Sequence, residues 1–163
     1  MLECNVAFTK ITKGIGLHTI RRAILSDLPF IYEGELSYIR EIEPEQEARW
    51  REGMLHHLRQ WVTDFPRSFV AINEEGEPIG YCYWEIHGES ALLASIYVVP
   101  SLRRAGLGRE LLNRYMFDAR EQGLDQLSLG VRSNNGARHM YEAAGFCFTH
   151  ETRGYRYYVL ETT

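Results

Sequence analysis

The stretch Ile96-Tyr97-Val98-Val99-Pro100-Ser101-Leu102-Arg103-Arg104-Ala105-Gly106-Leu107-Gly108-Arg109-Glu110-Leu111-Leu112 runs from an apolar segment into a basic, glycine-bearing loop and then an amphipathic one. It reads as a strand, a tight loop and a helix amino terminus, where unpaired backbone N–H groups and the helix dipole converge on one anion. Gly106 and Gly108 let the backbone approach phosphate oxygens and take conformations closed to other residues. Arg103, Arg104 and Arg109 add charge-assisted hydrogen bonds. The chemistry implied is a pyrophosphate seat, although a glycine pair before a helix also serves an ordinary strand-to-helix turn. Neither the P-loop pattern nor the dinucleotide fingerprint is present. A second constellation, from Asn134 to Phe146, places Ala137, Met140, Tyr141 and Ala144 on one helix face. Asn134 suits a helix cap and Gly145 a helix stop, so these residues on their own are also compatible with a purely structural role.

The elements that must position these residues follow from periodicity. Residues 19–23 predict a short strand, and Ser26, Asp27 and Pro29 open a helix that reaches about Arg40. Pro44 opens a second helix with Trp50, Met54, Leu55, Leu58, Trp61 and Val62 on one face, ending near Asp64 and Pro66. Residues 68–73 and 78–87 read as a hairpin across a Glu-Glu-Gly-Glu turn, with a third strand at 91–99. Leu107, Leu111, Leu112, Tyr115 and Ala119 form the inner side of the next helix, which stops at Gly123. Strand 126–132, helix 137–144 and a closing hairpin of 146–151 with 155–161 complete the chain. This order implies an α/β (α+β) fold: a mixed, mostly antiparallel central sheet of about seven strands with helices on both faces. Residues 1–18 read as an N-terminal arm and 19–163 as one domain.

The two constellations, joined by this order of elements, resemble the GNAT superfamily of acyl-CoA N-acyltransferases over nearly all of the chain beyond residue 18. In that family an Arg-x-x-Gly-x-Gly loop holds the coenzyme A pyrophosphate, and an Asn-x-x-Ala-x-x-x-Tyr-x-x-x-Gly-Phe segment lies against the pantetheine. The resemblance implies acetyl-CoA as co-substrate, bound by the backbone of Ile96, Tyr97 and Val98, by Arg103, Arg104, Ala105, Gly106, Leu107, Gly108 and Arg109, and by Asn134. It implies direct attack by a primary amine in a ternary complex, with the Val98 N–H facing the oxyanion and Tyr141 protonating the leaving thiolate. Tyr141 equally suits a core aromatic on an amphipathic helix.

An alkylammonium, with a pKa of roughly 10, must lose a proton before it attacks. Two positions where relatives often carry a carboxylate are empty here: Ala94 and Ser95 stand on one strand and Leu129 on another. Glu85 is then the first candidate base, with Glu33 and a water relay as competitors. A non-catalytic acetyl-CoA sensor or assembly partner is the alternative reading.

Composition bounds the rest. The chain has 163 residues, enough for one domain with a substantial core. A net charge of −4 disfavours binding of nucleic acid by the whole surface. No apolar run approaches the roughly 18 residues of a bilayer span, and the N-terminus lacks a secretory pattern, which predicts a cytoplasmic protein without a membrane partner. Cys4, Cys82 and Cys147 are widely spaced and read as small buried hydrophobes. His56 and His57 are adjacent on a helix and diverge, so no metal is implied. Glu33, Glu35, Glu41, Glu43, Glu45, Glu47 and Glu52 make one region acidic, which favours a cationic amine acceptor or else a solvated helix face. Both a monomer and a homodimer are open.

Overall fold

The computed structural model describes residues 8–161; Cys4 and the rest of residues 1–7 lie outside the described residues. Eight strands form one sheet, β1 (Phe8–Thr12), β2 (Gly16–Arg22), β3 (Ser68–Asn73), β4 (Pro78–His87), β5 (Ser90–Val98), β6 (Gln126–Arg132), β7 (Cys147–Thr152) and β8 (Tyr155–Glu161), in the order β1-β2-β3-β4-β5-β6-β8-β7. Every pairing is antiparallel except β5 with β6. The helices are α1 (Leu28–Ile42), α2 (Glu47–Glu52), α3 (Met54–Thr63), α4 (Leu107–Glu121) and α5 (Arg138–Ala143).

Side-chain alternation on β3 and β4 divides the core between two faces. Phe69, Ala71, Cys82 and Trp84 pack with Leu107, Leu111, Leu112 and Tyr115 of α4, and with Tyr141 of α5. Val70, Tyr81 and Tyr83 pack with Ile31 of α1 and Trp61 of α3. Helices therefore cover both faces, as the pattern predicts.

Four expectations are revised. The sheet has eight strands because residues 8–12, read as part of an arm, pair with β2 around a turn whose Gly14 and Gly16 take φ of +92° and +82°. The second helix is split at Gly53, and Leu55 and Val62 face solvent, whereas Trp50, Met54, Leu58 and Trp61 pack inward. Asn135, not Asn134, serves the start of α5, its Oδ1 accepting the Ala137 N–H at 2.9 Å. Cys82 is buried, but Cys147 lies exposed on edge strand β7. Among the described residues no helix is long and apolar enough to cross a membrane.

Candidate functional site

The site begins where two strands part. β5 pairs with β6 only from Ser90↔Gln126 to Leu93↔Leu129, while β4 follows β5 to Gly80↔Val98 and β8 follows β6 to Arg132↔Tyr155. The neighbouring sides of residues 94–98 and 130–132 thus open into a gap. At the parting point Ala94 is an extra residue, since Tyr83 pairs with Ser95 and Trp84 with Leu93. Such a bulge re-aims the side chains beyond it: Leu93, Ile96 and Val98 all pack on the α4 side, while Tyr97 packs on the α1 side and Ser95 bonds to α1.

The backbone of β5 follows the same logic. The Val99 N–H donates to the Ile79 carbonyl at 3.0 Å. Antiparallel alternation then directs the backbone groups of Tyr97 to β4 and those of Ile96 and Val98 into the gap. Of the three residues expected to pair with a pantetheine arm, Tyr97 has its amide engaged within the sheet. The Val98 carbonyl accepts Arg103 Nε at 2.9 Å, which leaves the Val98 N–H and both polar groups of Ile96 facing the opening.

Past Pro100 the loop turns toward the gap. Arg104 has φ +62° and Gly106 φ +96°, and α4 starts at Leu107 with the first closed helical bond from the Glu110 N–H to the Gly106 carbonyl. The N–H groups of Leu107, Gly108 and Arg109 have no acceptor within the helix. A left-handed arginine is strained, a cost of about 1–3 kcal/mol that clusters at ligand sites. Arg104 and Arg109 are exposed, and neither makes an ion pair among the described residues. Arg103 differs: its Nη1 binds both oxygens of Glu41 at 2.9 Å and its guanidinium lies over the Tyr97 ring, so it braces α1 against β5. The two glycines also have separate reasons. Gly106 needs its positive φ, whereas a Cβ on Gly108 would lie 3.2 Å from Met140 Sδ, so this glycine lets α5 approach α4.

On the other wall, α5 carries Tyr141. The residue is buried, with its ring edge on Phe146 and no hydrogen bond to its hydroxyl among the described residues. Burial, reinforced by nearby Tyr38, holds the phenol above its ordinary value and therefore protonated at neutral pH. Asn134 is exposed and donates to the Ile42 carbonyl at 3.3 Å, tying the loop before α5 to the end of α1.

The helix α1 lies over the α1-side residues of this opening. Glu35 accepts the Tyr81 hydroxyl at 2.6 Å and the Ser95 hydroxyl on the same oxygen, Oε1. Burial raises the Glu35 carboxyl above its ordinary value, against the lowering effect of bonds from Ser95, Tyr81 and Tyr83. Gly34 makes room for this contact, because a Cβ there would lie 2.4 Å from Tyr81 Cε1. Tyr38, one turn on, is pushed up to about 12, first by burial and then by Glu43, and it also feels Glu35. Phe30 makes T-shaped contacts with Tyr81 at 5.7 Å and Tyr97 at 6.2 Å, and Tyr81 stacks on Tyr97 at 5.5 Å.

The structure does not bring Glu85 to the opening. It pairs with Leu92, where β5 is still closed against β6, and its carboxylate binds His87 Nε2 at 2.8 Å. Glu33 is exposed on α1. Glu35, which the sequence reading placed in the acidic region but not among the candidate bases, is the carboxylate at the opening. Its spacing from Ile31, Tyr38 and Ile39 marked it as a carboxylate on the inward face of an amphipathic helix, but the surrounding run of glutamates concealed it. No group of three or more His, Cys, Asp or Glu side chains placed to hold a metal occurs among the described residues. His57 instead stacks on Trp50.

Comparison with known proteins gives the family and the fold. The model of the Acetyltransferase (GNAT) family matches residues 36–146. The ribosomal protein bS18-alanine N-acetyltransferase of Haemophilus influenzae is 34% identical over 105 residues, 56% of this chain and 72% of the relative. The mycothiol acetyltransferase of Propionibacterium freudenreichii subsp. shermanii is 31% identical over 117 residues, 69% of this chain and 38% of the relative. Among solved structures, the PaiA N-acetyltransferase of Thermoplasma acidophilum in complex with coenzyme A shares the fold, with a TM-score of 0.74 at 19% identity over 89% of this chain and 99% of that one.

Proposed function

Because the chain belongs to the acetyltransferase (GNAT) family, we propose that it transfers an acetyl group from acetyl-CoA to the primary amine of a cationic small molecule or peptide. The observation that carries this reading is the parting of β5 from β6 beside the amino terminus of α4, with Tyr141 on the facing helix. The N–H groups of Leu107, Gly108 and Arg109, with the Arg104 and Arg109 charges, would hold the pyrophosphate. The pantetheine would lie along the open side of β5, paired with Val98 and Ile96. Ile96, next to Ser95 and nearest the parting point, supplies an N–H for the oxyanion in place of Val98, to which the resemblance assigned that role, and the Val98 N–H holds the arm behind it. As the carbon–sulfur bond breaks, the Tyr141 hydroxyl protonates the thiolate.

The preference for a cation rests on fewer carboxylates than the acidic stretch contains. Glu41 is paired with Arg103, Glu43 and Glu45 with Arg132, and Glu47 with Arg40 and Arg51. Glu33 and Glu35, which make no ion pair among the described residues, carry the attraction. The test compares kcat/KM for spermidine, an aminoglycoside, a lysine-bearing peptide, a peptide with a free alanine α-amine and glutamate. The best acceptor should carry net positive charge. A best acceptor that is net negative would refute the preference.

A further inference from the structure

We propose that Glu35 is the proton acceptor for the incoming amine, held in place by Ser95 and Tyr81. The inference rests on the acetyl-transfer reading above and names a residue outside the stretch that matches the family. Its basis is placement. The positions where a carboxylate was sought on β5 and β6 hold Ala94, Ser95 and Leu129, and a carboxylate reaches one of them from the opposite layer. Glu35 Oε1 takes hydrogen bonds from Ser95, at the bulge where the strands part, and from Tyr81, on the adjoining strand. Tyr83, whose hydroxyl oxygen accepts Trp61 Nε1 at 3.2 Å, contributes a further bond to the same carboxylate. Gly34 is the only residue type that leaves room for Tyr81 at this distance. No arginine or lysine pairs with Glu35 among the described residues, in contrast to Glu41, Glu43, Glu45 and Glu47. It is thus a carboxylate without a resident cation among the described residues, held by the Tyr81 and Ser95 hydroxyls at the opening, where an ammonium would complete the pairing.

The proton balance is closed. R–NH3+ gives one proton to Glu35 and becomes R–NH2, whose lone pair attacks the thioester carbonyl carbon. The tetrahedral intermediate carries an oxyanion and a protonated nitrogen. On collapse the C–S bond breaks, the sulfur takes a proton from Tyr141, and the phenolate recovers one from the nitrogen. The products are the amide and coenzyme A thiol, and Glu35 releases its proton to solvent. Burial, by lifting the carboxyl toward neutrality, brings it closer to the value suited to a base at working pH.

The experiment measures coenzyme A release against pH for the wild type, Glu35→Gln, Glu35→Asp and Tyr81→Phe, using the fastest acceptor of the panel above. Thermal stabilisation by acetyl-CoA serves as the control for folding and cofactor binding. Glu35→Gln should keep that stabilisation and lose about 10²- to 10⁴-fold in kcat at neutral pH, with Glu35→Asp recovering part of the loss. Tyr81→Phe removes a bond that stabilises the carboxylate, so the acid limb of the profile should move to higher pH. If Glu35→Gln does not fold, the Tyr81→Phe limb and the Glu35→Asp rate decide. A Glu35→Gln rate within about threefold of wild type, well short of the loss expected for a general base, or an unmoved limb in Tyr81→Phe, would overturn the assignment while leaving acetyl transfer intact. A wild type that binds acetyl-CoA and releases no thiol with any amine would overturn the transfer reading and Glu35 with it.

Discussion

Tyr141 is a buried residue whose hydroxyl is protonated and makes no hydrogen bond among the described residues, as a proton donor waiting for a leaving sulfur should be. Tyr141→Phe should therefore keep the stabilisation by acetyl-CoA and lose at least about tenfold in kcat, since general acid catalysis contributes roughly 10²- to 10⁴-fold. A smaller loss would assign the proton to water or to the acceptor. Glu35 makes a prediction about stability as well as rate. Burial holds its carboxyl above the ordinary value of 4.5, so the folded state binds a proton that the unfolded chain releases. Its ionisation thus destabilises the fold as pH rises above 4.5, until pH passes the folded value, and imposes nothing below 4.5, where the group is protonated in both states. Glu35→Gln should accordingly melt above wild type at neutral pH, with the difference shrinking as pH falls toward 4.5. A difference that does not change with pH would contradict the buried carboxylate. At this scale, Tyr141 was legible because its spacing from Asn134 and Gly145 is local. Glu35 was not, because its bonds to residues 46 and 60 positions away form only when α1 lies on the sheet.

The gap depends on elements rather than on single side chains, and the bulge at Ala94 shows how. With the register continued unbroken, Ser95 would share the face of Leu93, and Tyr97 and Ile96 would exchange sides. The loop into α4 gives a paired prediction. Gly106→Ala places a Cβ on a residue at φ +96°, which should cost about 1 kcal/mol or more and weaken binding of acetyl-CoA. Gly108→Ala has ordinary helical geometry, and its one tight contact is Met140 Sδ at 3.2 Å. Methionine is adaptable and alanine favours helix by about 1 kcal/mol, so this variant should lie near wild type in stability. Melting curves with and without acetyl-CoA check both, and equal losses would mean that the two glycines serve the same purpose. The sequence pattern located this loop and all but one strand. It missed β1 because Thr9, Lys10 and Ile11 of this edge strand are exposed and show no hydrophobic alternation to read. It ran α2 and α3 together because the break at Gly53 leaves Trp50, Met54 and Trp61 on the same side.

Across the whole molecule, distant parts of the chain converge on the start of α4. Glu110, in its first turn, accepts Thr12 Oγ1 and bonds to His18 Nε2, both at 2.8 Å, so the N-terminal hairpin is fastened beside the loop expected to hold the cofactor. Gly14 in the hairpin turn lies so near that loop that a Cβ there would come 3.7 Å from Ala105 Cβ. Binding at this junction of β2, β5 and α4 should stabilise the fold as a unit. A hundredfold excess of acetyl-CoA over Kd adds about 2.7 kcal/mol, a rise in Tm of roughly 5–10 °C for a chain of this size. A separate melting transition unaffected by the cofactor would mean that the hairpin and sheet do not unfold together. The central claim, that this gap moves an acetyl group from thioester to amine, is tested most directly by following both products in one reaction. The purified protein is mixed with acetyl-CoA and the amine panel, free thiol is measured as it appears, and the acetylated amine is quantified by mass spectrometry. The account predicts that thiol and acetylated amine accumulate in equal amounts with at least one cationic amine, and that Tyr141→Phe slows both together. Saturable binding of acetyl-CoA with no acetylated amine from any member of the panel would contradict it.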